Sequence, residues 1–76
     1  MKRTIIEVTP AEGGGWEARE GEKGTEILVN DNKMRVVAAA RRKACVIGHS
    51  QLIIRTGDGK VQNEYTYDKG PPRYPS

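Results

Sequence analysis

The sequence predicts an α+β domain: an antiparallel sheet of about five strands, in the order β-β-β-α-β-β, with one amphipathic helix packed on one face. Three observations predict it. Side chains alternate with period two in "TIIEVT", "WEARE" and "TEILV", switch to a helical period after "NDN", and return to period two in "QLIIRT" and "KVQNEYTY". Turn residues separate the alternating runs, as "AEGGG", "GEKG" and "GDG". The chain of 76 residues, with no Phe and one Trp, supplies enough apolar volume for one two-layer core and no more.

Each element has its own local reason. Thr4 to Thr9 is β-branched and ends at Pro10, which has no amide to donate to a central ladder. The three glycines that follow tolerate positive φ and resist regular structure. In "WEARE", Trp16, Ala18 and Glu20 point one way and Glu17 and Arg19 the other, which pairs this run with the first as a hairpin. Thr25 to Val29 reads as a third short strand. Asn30 or Asp31 is then the expected helix N-cap. From Lys33 onward, Val36, Val37, Ala40, Ala44 and Ile47 fall within an arc of roughly 100° when stepped at helical pitch. Gly48 stands where a left-handed C-cap is expected, and Arg41, Arg42 and Lys43 lie late in the helix, where cations complement its dipole. The core is expected from these helix positions together with Ile6, Val8, Trp16, Ile27, Val29, Leu52, Ile54, Val61 and Tyr65. In the last strand Val61, Asn63, Tyr65 and Tyr67 are expected to share one face. Residues 1–69 form the single domain, and 70–76 a proline-rich, polyproline-like tail that serves as a stiff end or as a ligand for an aromatic groove.

This succession of motifs resembles a small bacterial domain-of-unknown-function family. The resemblance rests on Val8 and Pro10, on Gly15 followed by Trp16, on the helix "MRVVAAARRKA", on "QLIIRTGDGKVQNEY" and on the "PPRYP" end. It covers nearly the whole chain; "EGEKGTEILV" and Cys45 fall outside its pattern. The family implies a compact α+β domain and no established activity, so no role is carried over onto any residue.

Several chemistries fail on residue type and spacing. A phosphate loop requires G-x-x-x-x-G-K-[S/T] between a strand and a helix, whereas Lys60 is followed by Val61 and an alternating run. "GGGWEA" fits G-x-G-x-x-A at Gly13, Gly15 and Ala18, but it opens a strand rather than a helix. One Cys and one His do not make a structural zinc site, and a Cys45–His49 nucleophile pair has no third group to orient it. No catalytic residue, metal, cofactor or small-molecule substrate is expected. The short apolar run after "MKRT" is neither a leader nor an anchor, no stretch is long enough to span a membrane, and a single cysteine fits the reducing cytoplasm.

Binding is what remains. The face of the sheet away from the helix is expected to carry Ile5, Leu28 and Ile53 among charged residues, a surface for another protein or for homodimerisation. The alternative is nucleic acid. The formal charge is only +3, but Arg35, Arg41, Arg42 and Lys43 gather on the outer side of the helix, where phosphates would meet them.

Overall fold

A computed structural model describes residues 3–68; the tail at 70–76 and the boundary at 69 lie outside the described residues. Strands β1 (Thr4–Pro10), β2 (Trp16–Glu20) and β3 (Thr25–Asn30) precede helix α1 (Lys33–Ile47), and β4 (Ser50–Arg55) and β5 (Val61–Tyr67) follow it. The α+β class and the element order are those expected. The five strands form one sheet in the order β3-β2-β1-β4-β5, with the helix on one face.

One pairing departs from the antiparallel expectation: β1 and β4 run parallel, Ile6 opposite Leu52 and Val8 opposite Ile54. The helix is the reason. A helix laid back across the sheet carries the chain from the end where β3 finishes to the end where β3 began, so β4 runs in the same direction as β3, and therefore as β1.

The helix begins at Lys33, as its periodicity requires, but the capping residue is Asn32 rather than Asn30 or Asp31. Asn32, with extended backbone, accepts from the Met34 amide at 2.9 Å through its side chain, while Asn30 Oδ1 accepts from the Asn32 amide at 2.8 Å and shapes the approach. At the other end Gly48 donates its amide to the Ala44 carbonyl; its φ of 88° needs glycine, but its ψ of −77° lies outside the left-handed helical region expected of the cap. Arg41, Arg42 and Lys43 sit a turn too early to act on the helix end, since no basic residue occupies the last turn.

Ile6 and Val8 from β1, Ala18 from β2, Leu52 and Ile54 from β4, and Val36, Ala40 and Ala44 from α1 form the buried core. Three of these are alanines at 0% exposure, and their small side chains let helix and sheet approach closely. Each large aliphatic buried there contributes about 1.5–3 kcal/mol. Ser50 is also fully buried, and its hydroxyl donates to the Ala44 carbonyl at 3.0 Å, so the one buried polar side chain among the described residues is satisfied.

Two β-bulges reverse the alternation in the outer strands. Between Ala18 and Arg19 the register with β3 slips past Ile27, so Leu28 faces Ala18 on the helix side and Val29 faces Glu17 on the open side. Leu28 therefore packs against the core, and Val29, expected inside, is 45% exposed. Between Ile54 and Arg55 the register with β5 skips Gln62, which sends Val61 to the open side and leaves Asn63, Tyr65 and Tyr67 on the helix side. Val61 and Tyr65, also expected in the core, are exposed.

Candidate interaction surfaces

The open sheet face loses one member of its expected apolar patch. Leu28 is turned to the core by the bulge in β2–β3, which leaves Ile5, 37% exposed, and half-buried Ile53, with Val29 two strands away from β1. The charged side chains on this face have partners within it. The Arg55 guanidinium donates twice to Glu7 Oε2, at 3.0 and 2.9 Å; Arg19 bridges Glu17 at 3.1 Å and Glu26 at 3.9 Å; and Gln51 donates to Glu64 at 2.7 Å. A concavity of about 670 Å³ beside Ile5 is lined by Arg3, Glu7, Arg19 and Glu22, among others. Arg3 is committed to the Tyr67 carbonyl and to Asp68, at 3.0 and 2.8 Å, and every charged group in the lining has a partner. Its charged side chains are already engaged, with four carboxylates against two guanidinium groups.

The helix layer differs. Its sequence "KMRVVAAARRKACVI" carries five cations and no acid. Two of the four expected phosphate-contacting residues already have neighbours: the Arg41 guanidinium lies 5.1 Å from the centre of the Tyr65 ring, and Lys43 Nζ lies 3.5 Å from Glu20. Glu20 faces the helix, as the alternation of "WEARE" required, because it stands opposite buried Ile6. Arg35 and Arg42 are exposed and have no partner among the described residues. Lys33, not among the expected residues, is held by the Arg55 carbonyl at 3.0 Å and Gln62 at 2.7 Å, over the Trp16 ring at 4.2 Å.

A third surface was missed in the sequence. The helix packs on β3, β2, β1 and β4 and reaches β5 through the long side chains of Arg41, on Tyr65, and Lys33, on Gln62; β5 is exposed up to Thr66. The step between α1 and β5 forms a groove of about 390 Å³, with Ile54 beneath it and Met34, Val37 and Tyr65 along its sides. Met34 is 80% exposed, and Val61 adds a further 50% exposed aliphatic on the same strand. The only cue in the sequence was Met34, an apolar residue outside the core arc of the helix.

The half-buried Cys45 thiol and exposed His49 share no hydrogen bond, and no group of three metal-ligating side chains occurs among the described residues. "GDG" closes the β4–β5 hairpin, with the Gly59 amide donating to Thr56 and the Thr56 amide to Lys60. The glycine run before Trp16 leads into β2, where Gly15 packs so closely on Asn30 and Asp31 that a Cβ would lie 3.0 Å from the Asp31 carboxylate. No helix of the described residues is long and apolar enough to cross a membrane.

Residues 6–67 match the model of a family described as an uncharacterized protein conserved in bacteria, DUF2188. No curated protein and no solved structure matches the chain.

Proposed function

We propose that this chain, which belongs to that conserved bacterial family, is a non-enzymatic module of the cytoplasm that binds another protein through the β5 side of the domain. The observation that carries the reading is the mismatch between a four-strand helix footprint and a five-strand sheet. It leaves Met34 and Tyr65 exposed beside the free edge of β5, with Val61 on that strand's other face, while the charged side chains of the open face already have partners. Exposed apolar side chains gathered beside free backbone donors and acceptors favour a macromolecular partner over solvent. Leu28 is thereby removed from the expected contact set, and Ile5 and Ile53 become secondary to Tyr65.

A photoreactive phenylalanine analogue placed at Tyr65, and separately at Ile53, tests this in living bacteria. Covalent protein adducts are expected from the Tyr65 position in excess of the Ile53 position. The reverse order, or no adduct from either, overturns the reading.

A second reading is favoured by one observation, the pair of unpartnered guanidinium groups at Arg35 and Arg42 on a helix free of acids. It assigns phosphate contact to Arg35 and Arg42, with Arg41 and Lys43 beside them. Duplex DNA or RNA would be retained in a salt-dependent way, and retention would be lost in the Arg35→Glu/Arg42→Glu variant. Absence of retention at low salt ends this reading.

A further inference from the structure

We infer that the partner on β5 is a second copy of this chain, joined antiparallel through β5 with Tyr65 on the two-fold axis. The inference rests on the protein-binding reading above and names its occupant. Edge strands in soluble proteins are ordinarily blunted by lysine, proline or a bulge. β3 has such a protection, because its register breaks at Ile27 in mid-strand. β5 lacks it over most of its length. "VQNEYTY" contains one charged residue, no lysine and no proline, and its single irregularity lies at Gln62, near the start.

Beyond that irregularity, Asn63–Tyr67 pairs without interruption with Ser50–Ile54, and Tyr65 is the middle residue of the run. Side-chain chemistry then selects one register. Symmetry about Tyr65 sets Tyr65 against Tyr65 of the other copy, Glu64 against Thr66, and Asn63 against Tyr67. An aromatic pair and two donor–acceptor pairs result, with no like charges opposed. Symmetry about Glu64 would oppose two carboxylates, symmetry about Thr66 would set Glu64 against Asp68, and symmetry about Asn63 would draw in the bulged Gln62.

In the chosen register the two five-stranded sheets become one continuous sheet. A two-fold axis perpendicular to that sheet places both helices on the same side. Each Tyr65 ring then lies between the two helices with an Arg41 guanidinium over it, and the two grooves merge into one trough across the seam.

Sedimentation of the purified protein from micromolar to millimolar concentration is the first test, with a monomer–dimer equilibrium expected. Tyr65→Lys sets like charges on the axis and is expected to raise the dissociation constant by at least about tenfold. Ile5→Glu, on the open face and two strands from β5, is expected to leave it unchanged. In a Cys45→Ser background, Tyr65→Cys is expected to form a disulfide-linked dimer on mild oxidation, since residues opposed across an antiparallel seam bring their Cα atoms within disulfide reach. Ile53→Cys is expected not to form one. A wild-type protein that stays monomeric throughout, or a dimer weakened by Ile5→Glu and not by Tyr65→Lys, overturns the inference. If the protein is monomeric and adducts to other proteins still form at Tyr65, only the self-pairing falls; if those adducts are also absent, the protein-binding reading falls with it.

Discussion

Strands β4 and β5 lie side by side in one hairpin, yet alternate residues of β4 are buried, whereas β5 is exposed along its length until Tyr67. Both alternate in sequence, and both have apolar side chains on the helix side. The difference comes from the layer above them, because the helix footprint stops at β4. A two-fold rhythm shows that a strand has two faces; burial depends on whether something packs on them.

Substitutions in the two strands separate these cases. The largest effect is expected from Leu52→Ala, which empties a fully buried position and should lower unfolding free energy by about 2–5 kcal/mol in a denaturant titration. Asn32→Ala removes the N-cap that sets the helix over β4 and should cost about 1 kcal/mol, read as a lower midpoint at unchanged slope. Its effect should be felt in the protection of β4 amides more than of β5 amides. Tyr65→Ala should cost less than about 1 kcal/mol in the monomer, since the side chain is already partly solvated. A loss there as large as at Leu52 would show that β5 belongs to the core. The smallest term is expected from the Glu7–Arg55 pair, where a double-mutant cycle with Glu7→Gln and Arg55→Met should give about 0.2–1 kcal/mol of coupling for partly exposed partners.

Much of the fold was legible in the sequence because propensity and periodicity agree. The helix from Lys33, the Gly48 cap, the "GDG" hairpin and the inward set Val36, Ala40 and Ala44 all follow from local residue types. Leu28, Val29 and Val61 were misassigned for one shared reason. A bulge inserts a single residue with no turn signature, as at Ile27 and Gln62, and every side chain beyond it exchanges faces. The β1–β4 pairing was also hidden, since it depends on which strand the chain rejoins after the crossover. Among the candidate site residues, the outward direction of Arg35 and Arg42 was readable from helical pitch. The places of Arg41 on Tyr65 and Lys43 on Glu20 were not, because both neighbours come from distant segments.

The Arg3 guanidinium reaches the carbonyls of Ser50 and Tyr67 and the carboxylate of Asp68, and so clips together the ends of β1, β4 and β5. At the far end of the hairpin, Lys33 holds Arg55 and Gln62 in a similar way. With little of the helix above it, β5 is fastened to the domain by its ladder, by these two cations, by Arg41 on Tyr65 and by Tyr67 against the core. In the monomer it is therefore the unit that unzips first, exchanging its amide hydrogens while the strands beneath the helix remain closed.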